Sequence, residues 1–291
     1  MFFHLITRTA FFLSLATLCG CGPKGPSDTM RLDPIHIKAN DDGQDGSIAL
    51  EAYDASKLFD SAATKLKAGK CEKAVSIYEQ LVKEFSDSFL SPLALYNSGL
   101  CNEQLEQYQA AAANYIALIE EYPESRDVTD AMFRLAGAYE KLEAWDQVSR
   151  VLSKLLVERE DLEGMERIEA LARKGVALNR STHPGEARLA LEEACFLFRT
   201  GQGVPPSAST FYHGMARFEL GEILRAEMRE AELPGDEKLV EEALEKKCRL
   251  LLDAQEEYTE TIKIVHPHWA AAAAYRIGHL YRGLWDDMVN A

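Results

Sequence analysis

Positive charge is scarce in this chain. Its 291 residues carry 32 Lys and Arg against 47 Asp and Glu, a net charge of −15 with His neutral. A surface that acidic excludes a nucleic-acid partner and a polybasic grip on anionic lipid, since both need clustered cations. Past residue 20 no apolar run approaches the roughly 20 residues that a membrane-spanning helix needs. Runs of β-branched residues, the usual mark of strands, are nearly absent. Catalytic signatures are missing too: there is no GxSxG, no HExxH, no P-loop and no GxGxxG opening a helix after a strand. The six cysteines form no CxxC pair and no zinc spacing. His266-Pro267-His268 is the only close His pair; without a supporting Asp or Cys it reads as a loop between helices rather than a metal site. Acid pairs such as Glu120-Glu121 and Glu241-Glu242 read as solvated helix faces. The expectation is a protein that is not an enzyme and needs no cofactor or metal.

What is present begins at the N-terminus. Arg8 and the apolar run 10–18 form a cationic start and a short hydrophobic segment, the pattern of a secretory signal. Leu18-Cys19-Gly20-Cys21 resembles the bacterial lipobox. That resemblance implies cleavage after Gly20, leaving 1–20 as signal peptide, and lipidation of Cys21. Gly22 rather than Asp follows the cysteine, which implies the outer membrane, with the protein facing the periplasm. Cys19 is the poorer acceptor because bulky Leu18 precedes it; an ordinary secreted protein with a chance cysteine is the plain alternative. Loss of Arg8 with the signal leaves 31 bases against 47 acids, a net charge of −16. Residues 21–50 are rich in Gly, Pro, Asp, Ser and Asn and show no apolar period. They read as a lipidated flexible tether, a coil of some 28 residues spanning on the order of 30 Å.

From residue 51 to 204 Ala, Leu, Glu and Lys dominate at helical spacing, and four units recur. Ala74, Ala111, Val148 and Ala187 anchor them, at intervals of 37, 37 and 39 residues. Twelve residues before each anchor lie Ala62, Gly99, Ala136 and Gly175; four after lie Tyr78, Tyr115, Leu152 and Leu191. The pattern predicts two antiparallel helices per unit, A and B, whose small residues allow a close crossing. The large residues of B fill the gap to the next unit, so stacking supplies the core. The fold class expected is all-α, a solenoid of helical hairpins. Cys71 begins helix B of the first unit, and Cys101 lies late in helix A of the second, on antiparallel neighbours. A disulfide between Cys71 and Cys101 is open if their Cα atoms lie within about 7 Å; two small buried residues is the competing reading.

Beyond Pro205-Pro206 the pattern stretches into an atypical unit, 205–291. One long helix is expected from Phe211 to about Leu233 and another from Glu237 to about Val265, with Leu233-Pro234-Gly235-Asp236 as the turn. Taking Gly214 as the small residue of helix A, the separation to Ala254 is 40 residues instead of 12, an excess of 28, or about four turns on each helix. Over about 218–252 this predicts an extended arm that docks a partner, with Arg225, Arg229, Glu241 and Glu245 on its charged outer faces; solvated padding is the alternative. The segment from Trp269 to Met288 reads as one more helix A.

These repeats resemble tetratricopeptide (TPR) repeats, best over 92–125, where Gly99, Tyr108, Ala111, Tyr115 and Pro123 match the family's signature. With the lipobox and the Glu-Tyr-Pro-Glu-Ser ending, the chain is similar to TPR lipoproteins of the BamD type, which serve outer-membrane barrel assembly. The resemblance implies a scaffold whose A-helix face forms a groove for other envelope proteins or peptides, with the membrane engaged only through the lipid. Phe59, Tyr96 and Phe133 recur in one phase beside Leu100, predicting an apolar, aromatic-lined channel. Packing of these aromatics between neighbouring A helices is the alternative. A pilotin-like or motility-complex lipoprotein, and an accessory of a cell-wall enzyme, are the other functional readings.

Overall fold

A computed structural model describes residues 34–41, 48–162, 164–201, 203–205, 208–234 and 237–290. The signal segment and Cys21 lie outside the described residues. From Pro34 onward the chain is one compact unit.

Two strands come first, β1 (His36–Asp41) and β2 (Ile48–Tyr53). The first four hairpins then follow in order: α1 (Ala55–Lys67) with α2 (Cys71–Glu84), α3 (Ser91–Gln104) with α4 (Tyr108–Glu121), α5 (Val128–Lys141) with α6 (Trp145–Glu158), and α7 (Gly164–Arg180) with α8 (Pro184–Thr200). The long pair is α9 (Phe211–Glu230) with α10 (Glu237–Lys263), and α11 (Pro267–Asn290) ends the series. Each helix packs on its neighbours in sequence, as a solenoid of TPR-type hairpins requires.

The small and large residues of the repeat meet as the spacing predicts. Tyr78, Tyr115, Leu152 and Leu191 are fully buried. At Gly99 an added Cβ would stand 2.4 Å from the Tyr115 ring, so only glycine admits that side chain. The A-to-B turns of the first four hairpins close in one way. The residue five before the anchor is left-handed, at Gly69 (φ 69°), Glu106 (57°), Glu143 (53°) and Thr182 (64°). The next amide then reaches back over the helix end, as Gln107 does to the Asn102 carbonyl at 2.8 Å, a Schellman-type closure.

Three expectations are corrected. The tether reading fails over 36–41 and 48–50, where β1 and β2 pair antiparallel with His36 opposite Tyr53. The hairpin is held from outside its own strands: Phe85, just past α2, lies 4.5 Å from the His36 ring and 6.2 Å from the Tyr53 ring. Tyr53 also donates to Glu84 at 2.7 Å. Ile35 and Ile37 are exposed, so no apolar face signals the strands.

The second correction concerns the long pair. Gly221, not Gly214, is the small residue of helix A. Its added Cβ would stand 2.6 Å from the buried Tyr258 ring, the same contact as Gly99 with Tyr115, while Gly214 faces Trp269 of α11. Gly221 precedes Ala254 by 33 residues where 12 are usual, an excess of 21 rather than 28. The excess is uneven. Nine residues follow Gly221 in α9 where five follow Gly99 in α3, and seventeen precede Ala254 in α10 where three precede Ala111 in α4. Nor is the pair a bare arm. α11 lies along both helices, burying Ala273 and Leu280 against Leu224, Met228 and Leu251. Lys247 of α10 is buried there, donating to the Ala231 carbonyl at 2.6 Å and pairing with Asp287 of α11 at 2.8 Å.

Third, Cys71 and Cys101 share one buried cluster but both are free. The Cys71 thiol donates to Gln104 at 2.9 Å instead of bonding to sulfur. The reading of two small buried residues is the one the structure takes.

Candidate functional site

The A helices present a continuous face, and its polar residues follow the repeat. Counted from each small residue, the side chain four later meets the one two earlier in the next unit. Glu103 accepts from Arg134 at 3.1 Å, Glu140 from Arg173 at 2.8 Å, and Glu219 from Asn179 at 2.7 Å. At the last step both positions are basic, Arg225 and Arg276, and Glu222 binds each at 2.8 Å. Arg225 is therefore an internal member of this ladder and not an outer docking residue, whereas Arg229, Glu241 and Glu245 are exposed as expected.

Arg173 is the ladder's most buried cation. Its side chain is only 10% exposed and also reaches Glu169 at 2.9 Å and the Phe133 carbonyl at 3.3 Å. Burial opposes its charge, but Glu140 and Glu169 more than offset that and move its pKa up. Tyr115 donates to Glu103 at 2.7 Å; burial, then that hydrogen bond, pushes the phenol pKa up. Burial likewise raises the carboxyl of Glu219, although the Asn179 hydrogen bond works the other way.

Over this ladder opens a cleft of about 510 Å³. Tyr96 and Phe133 line it with Tyr108, Asp130 and Lys141, and the pairs Glu103–Arg134 and Glu140–Arg173 form its floor. A second hollow of about 350 Å³ adjoins it through Glu140 and Arg173 and continues to Trp145, Phe211 and Met215. Of the expected channel, Tyr96 and Phe133 are in place. Phe59 leans on Tyr78 at 5.7 Å, and neither it nor the half-buried Leu100 is among the lining residues. The channel is charged as well as aromatic. The signal for the charges was present but unused: Glu103 and Glu140 stand 37 residues apart, and Arg134 and Arg173 39 apart.

Burial pushes the Cys101 and Cys195 thiols up to about 12, which removes their nucleophilic form at neutral pH. Burial, helped by Arg217, pushes His213 down to about 4, and its ring stacks on Phe198 at 4.3 Å. No helix among the described residues is long and apolar enough to cross a membrane.

A family model for the tetratricopeptide repeat matches residues 58–88 and 93–125, the first two hairpins. The chain carries TPR repeats. A solved TPR protein with an unusual peptide-binding site, YrrB, has the same fold at a TM-score of 0.50 and 18% identity, covering 77% of this chain and 92% of that one. A TPR repeats protein from Bacteroides fragilis aligns at a TM-score of 0.43 and 12% identity, over 82% of this chain and 99% of its own. MamA from Desulfovibrio magneticus aligns at 0.44 and 15%, over 69% and 96%. No curated protein matches the sequence. These likenesses bear on the fold, a solenoid of TPR hairpins.

Proposed function

We propose that the protein is a lipid-anchored scaffold of the outer membrane. In this reading it faces the periplasm and holds a segment of another envelope protein against its A-helix face, in outer-membrane protein assembly as the BamD-type resemblance implies. The observation that carries the binding role is the cleft over the ladder. Tyr96, Tyr108 and Phe133 offer aromatic surface, which dominates binding energy in most interfaces. Asp130 and Lys141 stand eleven residues apart on α5, roughly 16 Å along the helix. A bound segment therefore meets opposite charges at the two ends and is held in one direction. The lipobox at Leu18-Cys19-Gly20-Cys21 supports the anchor.

The test places a photo-cross-linking phenylalanine at Phe133 and, as control, at exposed Glu79 on helix B of the first unit. Cross-linking in a bacterial envelope should yield one protein from position 133 and not from 79; equal products from both, or none from 133, would overturn the binding role. Palmitate labelling should vanish in Cys21→Ser, and its persistence would overturn the anchor independently.

A further inference from the structure

Each earlier glycine at the small position of a helix A is filled by a large side chain of its helix B. An added Cβ would stand 2.4 Å from Tyr115 at Gly99, 2.5 Å from Leu191 at Gly175 and 2.6 Å from Tyr258 at Gly221. The equivalent residue of α11 is Gly278, whose Arg276, two earlier, takes the next step of the polar ladder. Nothing lies within 4 Å of a Cβ at Gly278. The inner side of α11 is occupied by Ala273, Ile277, Leu280 and Leu284, which pack on α9 and α10. On its other flank runs a second stripe, exposed throughout: Ala271, Ala274, Gly278, Tyr281, Trp285 and Met288. Tyr281 is 50% exposed, Trp285 63% and Met288 43%; the Tyr281 hydroxyl donates to Gln255 of α10, which holds the ring in place and leaves its outer face open. A helix with two apolar faces and one partner leaves a face for another.

The order of residues along that stripe selects the occupant. Its first half is small and its second half large. Laid antiparallel on a copy of itself, with the two-fold axis beside residues 279 and 280, Gly278 meets Tyr281, Ala274 meets Trp285 and Ala271 meets Met288. Every large side chain then faces a small one, twice over, as a two-fold interface requires. The contact of Gly278 with Tyr281 repeats between copies what Gly99 and Tyr115 do within the chain, so the stacking interface of the solenoid continues across the axis. We propose that the protein forms a two-fold dimer through this face of α11, which leaves the cleft over α3, α5 and α7 untouched in each copy.

Sedimentation equilibrium of the full chain in density-matched non-ionic detergent tests this. The wild type should run at twice the mass of its own processed chain, fixed by mass spectrometry of the same sample, at micromolar concentrations. Gly278→Leu is the deciding variant. The open space around Gly278 accommodates the new side chain within one copy, so helical circular dichroism and melting should hold or improve. Between copies it collides with Tyr281, and dimerisation should weaken at least tenfold. Trp285→Ala should weaken it as well, by removing the largest side chain of the stripe. A wild-type chain that remains monomeric would overturn the proposal, as would a dimer that survives both substitutions.

Discussion

Gly99→Ala is a one-carbon change whose outcome depends on the packing of helix A against helix B. In an open helix the substitution is favourable by about 1 kcal/mol, because alanine is the better helix former. At Gly99 the new Cβ would lie 2.4 Å from one ring carbon of Tyr115, 2.6 Å from another and 3.0 Å from a third. Real Cβ atoms do not come that near, so something must move. The Tyr115 ring has little room to do so. It is fully buried, its hydroxyl is tied to Glu103 at 2.7 Å, and the Tyr96 ring lies 6.0 Å away. Overpacking costs typically about 1–3 kcal/mol. With the ring held on several sides the cost falls in the upper part of that range, about 2–3 kcal/mol, so that subtracting the gain in propensity leaves a net loss of about 1–2 kcal/mol. Urea unfolding followed by circular dichroism would report the loss, and amide exchange would localise it to α3 and α4, since repeat arrays open unit by unit. The same substitution at Gly278, where nothing lies within 4 Å, should stabilise the monomer. If Gly99→Ala equals or exceeds the wild type in stability, the close crossing of A and B is not what the glycine is for.

Thr182 holds a left-handed turn at φ 64°. Thr182→Gly should relieve a strain of about 1–2 kcal/mol against an entropic cost of about 0.5–1 kcal/mol, for a small net gain read as a rise in melting temperature. Glu219 is buried and its carboxyl pKa is raised, so its neutral form favours the fold. That contribution is complete below the ordinary glutamate value of about 4.3 and is lost as pH rises through the higher folded value. Glu219→Gln, which keeps an acceptor for Asn179, should therefore be more stable than the wild type at pH 7. The gap should narrow as pH falls towards 5, measured by chemical denaturation across that range.

The repeats were legible because their information is doubled: a small residue on one helix and a large one sixteen later, at a fixed interval. Tyr96 and Phe133 were legible in the same way. Phe59 shares their phase and meets Tyr78 as Tyr96 meets Tyr115, yet it is not among the residues lining the cleft, since phase gives a face but not what opens over it. The long pair misled for a related reason. Gly214 and Gly221 are seven residues apart, on the same side of one helix, and both take a large ring. Periodicity cannot separate them; only the identity of the ring does. The strands escaped notice because their support, Phe85 and Glu84, belongs to a helix end and not to an alternating apolar face. The charged floor of the cleft escaped notice because single charges on helices usually face water; these pair across units instead.

The fourteen residues by which α10 is longer before Ala254 than α4 is before Ala111 make nearly four whole turns. The added turns thus stay in phase with the old ones, and Lys247 falls seven before Ala254, on the seam that Leu251, Ala254 and Tyr258 bury. A charge in such a place adds little to stability, because desolvation consumes most of what its pairing returns. What it does is index the seam. A slide of α11 by one turn along α10 would carry Asp287 about 5 Å away and leave the buried ammonium with the Ala231 carbonyl but no counter-charge. Lys247 works as a detent inside the apolar seam, and with the Arg276–Glu222 pair at its edge it fixes the terminal helix at one notch.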